Sequence, residues 1–295
     1  MGILRRQRIV LSILDEAGRP LERTLLVKLA FLLRFETSVR EEATFYDFVP
    51  YKYGPFSFAL YRELRLMEQR GYVISAPAAV AISDQGRRHA WRASVRAEDP
   101  VLQGVRHIVA SYGRHPVGLL LQHVYERYPW YASRSELAGV PQARSRRGAD
   151  AAVAVYTVGY EGSSIDAFLE RLLRAGITAI IDVRANAVSR KYGFAGRTLA
   201  GIAQKLDVHY AHVPALGVDS RSRRNLSGEE DRRLLLDEYQ QQVLPKRAPE
   251  IRRVASSLEQ RPSALLCMER DPRRCHRSRL ASVLAERTGL PITHL

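Results

Sequence analysis

The stretch "AVAVYTVGYEGSSIDAFLERLLRAGITAIIDVR", Ala152 to Arg184, decides the architecture of the second half of the chain. It opens on an apolar run of β type, "AVAVYTVGY", broken by "EGSS". Ile165, Phe168, Leu169, Leu172 and Leu173 then recur at helical spacing, and "TAIIDVR", Thr178 to Arg184, is a second apolar run. Two continuous apolar strands joined by a helix predict a parallel pair covered on both faces. Working outward, the pattern repeats. A helix over Leu199 to Leu206 precedes a third strand, "VHYAHVP" (Val208 to Pro214). Helical stretches around Leu234 to Leu244 and Ile251 to Leu258 precede a fourth, "SALLCME" (Ser263 to Glu269). A helix over Arg277 to Thr288 and a short edge strand, "PITHL", end the chain. The fold class expected is α/β, with a mostly parallel, Rossmann-like sheet and helices on both faces.

The polar residues fall where such a sheet binds ligands. Tyr160, Glu161, Gly162 and Ser163 follow the first strand, and Asp182 and Arg184 close the second, with Ser189, Arg190 and Lys191 beyond. His212 ends the third strand ahead of Leu216-Gly217, and Cys267 and Glu269 end the fourth ahead of Cys275, His276 and Arg277. All lie at carboxyl ends, so a parallel sheet gathers them on one edge. The densest segment is "LLCMERDPRRCHR", Leu265 to Arg277, which holds both cysteines of the chain. The helix that follows it offers N-terminal amides to an anion.

These residue types suit an enzyme acting on a phosphate-bearing substrate. Arg184, Arg190, Lys191 and Arg277 are the expected phosphate ligands, with Tyr160, Ser189 and His212 also facing substrate. Glu161, Asp182 or Glu269 is the expected acid, base or nucleophile, with His276 as proton shuttle. A carboxylate facing a sugar carbon suits N-glycosidic cleavage, whereas a thiol nucleophile suits acyl, phosphoryl or sulfur transfer. The thiols have three readings. Cys275, between arginines and beside a helix N-terminus, is a candidate reactive thiol and is counted among the catalytic residues. Packing alone is the second. The third is a divalent-metal set of Cys267, Cys275 and His276, completed by Asp182 or Glu269; no cofactor is otherwise expected. The spacing from Cys267 to Arg273 matches that of anion-binding phosphatase loops but lacks their glycines, and is read as coincidence.

The segments "YTVGYEGSSIDAFLERLLRAGITAIIDVRANAVSRKYGF", "VHYAHVPALGV" and "LLCMERDPRRCHRSRLA" together resemble the DUF488 family, over about Ala152 to Leu295. The resemblance implies the α/β fold and no particular reaction. Val218 stands where much of that family has a second glycine after Leu-Gly.

The first half reads as mainly α. Ile9, Val10, Ile13 and Leu14 mark one helix, broken at Gly18-Arg19-Pro20. Leu25, Leu26, Leu29, Leu32 and Leu33 mark a second, and Phe45 to Val49 alternate like a strand. "YKYGPFS" is read as a turn, with Pro55 in the first turn of a third helix carrying Leu60, Leu64 and Met67. Tyr72 to Ile74 and Val80 to Ile82 predict a hairpin, after which Ser83 caps a helix through "DQGRRHAW". Three helices and a hairpin follow the order of a winged helix. "GYVISAPAAVAISDQGRRHA" resembles the wing of winged helix-turn-helix regulators, and "LVKLAFLLRFE…FYDFVPYKYGPFS" resembles Panacea/SocA-type domains. The resemblance implies DNA binding through the helix after Pro55, by Ser57, Arg62, Arg65 and Gln69, with Arg87 and Arg88 near the wing. A winged helix used only for protein contacts is the competing reading. His107, His115 and His123 stand singly on helical segments beyond, without metal-type spacing, and Tyr125, Tyr128, Trp130 and Tyr131 read as packing aromatics.

The expected domains are 1–138 (core 1–95 plus a helical extension), a linker at 139–151, and 152–295. Forty-six Lys and Arg against 31 Asp and Glu give a net charge of +15, which favours a polyanionic partner, DNA above all. No apolar run is long enough for a membrane span or signal peptide, so a cytoplasmic protein without membrane contact is expected. Oligomeric state is left open, a homo-oligomer included. The arginine-rich Asp219 to Arg233 is a lid, a phosphate contact or a solvated face. An enzyme of DNA repair or phage defence joins both halves; a transcriptional regulator sensing a small anion is the alternative.

Overall fold

Two units divide the chain, Met1–Arg146 and Arg147–Leu295. The computed structural model describes residues 2–90, 99–137, 151–219, 222 and 228–295. The linker expected at 139–151 lies outside the described residues except for Ala151.

In the first unit, α1 (Arg5–Ala17) turns Ile9, Val10, Ile13 and Leu14 inward and stops at Gly18, whose φ of 63° is the left-handed cap glycine favours. A two-residue strand, β1 (Leu21–Glu22), leads into α2 (Arg23–Glu36), whose leucines and Phe31 are buried. The strand expected over Phe45 to Val49 is displaced. Phe45, Tyr46 and Phe48 are buried in irregular chain, with Phe48 edge-on to Phe31 at 5.3 Å, and β2 (Val49–Tyr51) begins where the expected strand ended. Aromatic alternation there serves the core rather than a ladder. β2 pairs antiparallel with β3 (Gly54–Phe56), Pro50 opposite Pro55. Pro55 is therefore a strand residue, tolerated because a two-stranded ribbon leaves both edges unpaired. The helix starts later, at α3 (Phe58–Gln69), with Ser57 as its N-cap accepting from Leu60 N.

The hairpin of β4 (Val73–Ser75) and β5 (Ala79–Ile82) forms as expected, and β1 extends it to three antiparallel strands in the order β1-β5-β4. Ser83 caps α4 (Asp84–His89) by accepting from Gly86 N at 2.9 Å. Trp91, placed on that helix by the sequence, lies outside the described residues. Two further helices, α5 (Pro100–Tyr112) and α6 (Val117–Arg127), join the same apolar core.

The second unit is the expected sheet. Its strands are β6 (Val155–Gly159), β7 (Ala179–Asp182), β8 (His209–His212), β9 (Ser263–Cys267) and β10 (Ile292–His294). They run in the order β10-β6-β9-β7-β8, and every neighbouring pair is parallel. The crossovers are α7 (Ile165–Arg174), α8 (Gly196–Gln204), α9 (Glu229–Glu238) with α10 (Ala248–Gln260), and α11 (His276–Thr288). Ile251, Val254, Leu258, Leu280 and Leu284 pack with Val155, Ile181 and Leu265. Strand alternation turns Tyr156, Ile180 and Leu266 to the opposite face.

Topology selects one crevice. From β9 the chain leaves toward β10, and from β7 it leaves toward β8, in opposite directions across the sheet. The carboxyl ends of β9 and β7 thus flank a switch point, where an open parallel sheet leaves room for a ligand.

Candidate functional site at the switch point

Asp182 ends β7, and Arg184 folds back onto it. Asp182 Oδ1 accepts from Arg184 N at 3.1 Å and Nε at 2.8 Å, while Oδ2 accepts from Arg184 NH2 and from Tyr210 OH at 2.7 Å. All four lone-pair positions of the carboxylate are filled and the residue is fully buried. Arg184 NH1 donates to Tyr160 OH at 3.2 Å, and the Arg184 carbonyl meets His212 Nε2 at 2.8 Å. Burial works to lower the Arg184 pKa, but the hydrogen bonds and charge of Asp182 outweigh it and raise it. Burial, reinforced by Asp182, raises that of the Tyr210 phenol. Asp182 and Arg184 therefore neutralise each other and brace the strand ends. Neither is placed for the proton transfer or phosphate binding expected of it, because two residues on extended chain let the guanidinium reach its own carboxylate.

Tyr160 is buried and stacks on Phe194 at 4.3 Å, with Lys191 Nζ 5.9 Å from the Phe194 ring. Ser189 Oγ accepts from Lys191 N at 3.2 Å, and the Arg190 and Lys191 side chains are exposed. Gly217, in the loop after β8, lets the chain approach closely: a Cβ there would stand 2.0 Å from Ala185 N.

Across the switch point, Cys267 at the end of β9 and Cys275 just before α11 converge on His276. Cys267 Sγ lies 3.7 Å and Cys275 Sγ 3.9 Å from His276 Nδ1, and Cys267 Sγ donates to Glu269 Oε2 at 3.1 Å. His276 Nε2 reaches Val183 O at 2.9 Å, so this cluster is tied to the end of β7. Both cysteines are free and buried. Burial, then the contact with Cys267, pushes the Cys275 thiol well up. This corrects the expectation of a favoured thiolate at Cys275, whose arginine neighbours in sequence point elsewhere. Burial works to raise the Glu269 carboxyl, but hydrogen bonds from both thiols hold it below its usual range.

Arg277 is also reassigned. It is buried, donating from NH1 to Glu269 O at 2.6 Å and from NH2 to Arg270 O at 3.0 Å, so it clamps the β9–α11 loop instead of projecting toward a phosphate. Arg171 donates to Gly159 O from α7 at 2.8 Å. Burial first, then the charges of Arg270 and Arg277, lower the Arg171 pKa. Arg273 is paired with Asp271 and mostly exposed, consistent with a coincidental Cys-to-Arg spacing.

Two clefts open at this edge. One of about 490 Å³ is lined by Glu161, Arg232, Glu269, Arg270, Asp271 and Arg274. Glu161 Oε2 accepts from Arg270 N at 3.0 Å. The second, of about 460 Å³, includes Asn186, Glu238, Tyr239 and Arg247 in its wall. Glu269 belongs to the first cleft, and Tyr239 of the second lies edge-on to His276 at 5.3 Å, so the thiol–imidazole cluster separates them. Arg270 and Arg274 stood in the quoted segment without a role, and Arg232 lay in the arginine-rich stretch. Of that stretch, residues 220, 221 and 223–227 lie outside the described residues. Tyr239 and Tyr210 carried no signal, because nothing local distinguishes a tyrosine beside a site from one in a core.

In the first unit, Ser57 is fully buried as a helix cap and cannot contact DNA. Arg62 is half-buried, Arg65, Gln69 and Arg88 are exposed, and Arg87 pairs with Asp15. His107 and His115 are exposed, and His123 rests 3.2 Å from Tyr112 OH.

Fold and site together define an open parallel α/β domain with a polar cluster at its switch point. Residues 164–284 match the model of a family described as "Domain of unknown function DUF488", so the chain carries a DUF488 domain there. No curated protein and no solved structure matches the chain. No helix among the described residues is long and apolar enough to cross a membrane.

Proposed function

We propose that the second unit is an enzyme domain, a hydrolase or transferase acting on a phosphate-bearing nucleotide or nucleic acid, and that the first unit directs it to DNA. The observation that carries the reading is the first cleft, where Arg232, Arg270 and Arg274 face the same space as Glu161 and Glu269. Guanidinium groups supply bidentate ligands for phosphate, and a carboxylate beside them can activate water or face an anomeric carbon. Arg270 is exposed and has no ion-pair partner among the described residues, which leaves its fork for a substrate.

The DNA-directed part is supported by the element order of the first unit, with β1 pairing the β4–β5 hairpin as in a winged helix. Arg62, Arg65 and Gln69 recur along one face of α3, and the chain carries a net charge of +15. Phosphate contacts there predict binding that weakens steeply with salt.

The test is incubation of the full chain with nucleotides and with single- and double-stranded oligonucleotides, followed by mass spectrometry of the products. Turnover that falls at least about a hundredfold in Glu161→Gln, with pyrophosphate bound about tenfold more weakly by Arg270→Ala, is expected. Absence of any product from these substrates overturns the enzyme reading. Fluorescence anisotropy with duplex DNA tests the other part: an affinity that neither responds to salt nor weakens in the Arg65→Ala, Gln69→Ala double variant overturns it.

A further inference from the structure

The geometry points to a divalent-metal site of the zinc type, formed by Cys267 Sγ, Cys275 Sγ and His276 Nδ1, with the Glu269 carboxylate as fourth ligand. It does not rest on the phosphate reading. The first three donor atoms lie within 4.8 Å of one another, and all three residues are buried. A tetrahedral zinc ion, with Zn–S about 2.3 Å and Zn–N about 2.1 Å, sets sulfur and nitrogen about 3.6 Å apart. The thiols stand 3.7 and 3.9 Å from Nδ1, close to that edge length before any metal draws them in.

The surroundings prepare those ligands. His276 Nε2 meets the Val183 carbonyl at 2.9 Å, an acceptor that requires the proton on Nε2 and bares Nδ1 toward the sulfurs. A ligating histidine whose second nitrogen is held by a carbonyl is the usual outer arrangement of a metal centre. The Val183 amide donates in turn to Leu266 O at 3.1 Å, so that carbonyl sits on the sheet itself. Arg277 holds the Glu269 and Arg270 carbonyls and sets the path of the loop that brings Glu269 within 3.1 Å of Cys267 Sγ.

Eight positions separate the thiols, unlike the short knuckles of structural zinc. Here the end of a strand and the start of the next helix are brought together by the parallel sheet rather than by a tight turn. Two thiolates and an imidazole select zinc-like ions over magnesium or calcium. On loading, each thiol loses its proton to solvent and no electrons move. Glu269 also lines the first cleft, which makes it the exchangeable ligand and puts the metal at the cleft's wall.

Cobalt(II) is the probe. The full chain, reduced, chelator-treated and kept anaerobic, is titrated with Co²⁺ and followed by near-ultraviolet and visible absorption. Expected are thiolate-to-cobalt charge transfer and intense tetrahedral bands saturating at about one metal per chain, both displaced by Zn²⁺. Cys275→Ser should lose about half the charge transfer, whereas Glu269→Gln should keep it while the visible bands shift. Circular dichroism confirms that each variant is folded. Weak octahedral bands without charge transfer, or equal uptake by the Cys267→Ser, Cys275→Ser double variant, overturn the proposal. So does a mass lower by two hydrogens in air-exposed protein that takes up no metal after reduction, which identifies a redox thiol pair instead.

Discussion

Each unit buries an arginine, a carboxylate and a tyrosine together, and the two clusters are built differently. In the first unit, Arg6 of α1, Tyr46 and Glu63 of α3 meet from three distant segments: Arg6 Nε donates to Glu63 Oε1 at 3.0 Å and Tyr46 OH to Oε2 at 2.7 Å. In the second, Asp182 and Arg184 are two residues apart, with Tyr210 reaching them from the neighbouring β8 and Tyr160 from the loop after β6, beyond β9. The first cluster pins helices, with Arg6 left about one-third exposed; the second has its charged pair almost wholly shielded, at the lip of the switch point. The contrast teaches that a buried ion pair can be a device of packing or a support for a site. Lys28 sharpens it: among the described residues this buried ammonium has only the Pro55 carbonyl, at 2.7 Å, as its hydrogen-bond partner.

The largest effect belongs to Lys28. Burial lowers its pKa from 10.5 to about 7. Between these values the unfolded chain binds more protons than the folded one, so stability rises with pH across that window and is lowest below about 7. The rise is up to about 5 kcal/mol, and Lys28→Met should flatten it. Both tryptophans lie in the first unit, so denaturant titration by tryptophan fluorescence reads that unit. A wild-type curve that falls from pH 7 to 10 contradicts the assignment.

Next comes Asp182→Asn, which leaves the Arg184 charge buried without its counter-ion and should cost about 3–5 kcal/mol. Hydrogen exchange of the β7 amides is the measurement, and unchanged protection would mean the pair is not a brace. Glu63→Gln should cost less, about 1–3 kcal/mol, because Arg6 can turn its exposed part to water. A loss equal to that of Asp182→Asn would erase the distinction between the clusters. Smallest are Tyr46→Phe and Tyr210→Phe, each removing one hydrogen bond to a carboxylate for about 1–2 kcal/mol. Similar losses show that the tyrosines do the same job in both units, whereas an effect of Tyr210→Phe on cobalt spectra would couple the ion pair to the thiol cluster.

Much of the second unit was legible in the chain. Apolar runs of strand length and inward residues at helical spacing place β6, β7, β9 and their crossovers to within a few residues, and put Tyr160, Asp182, His212, Cys267 and Glu269 at carboxyl ends. In the first unit the same reading put a strand over Phe45 to Val49 and Pro55 in a helix. Alternating aromatics satisfy a core as well as a sheet, and proline suits an unpaired ribbon edge as well as a first helical turn.

What the sequence by itself determined is the order of elements and the edge on which the reactive side chains gather, because period and chain direction are local properties. Only the tertiary structure decided which of those side chains remain available. Asp182 and Arg184 pair with each other, Arg277 turns inward to carbonyls, and Ser57 caps a helix. Cys267, Cys275 and His276 instead close on one point. Burial and pairing are set by neighbours that arrive from distant segments, and no short window of sequence contains them.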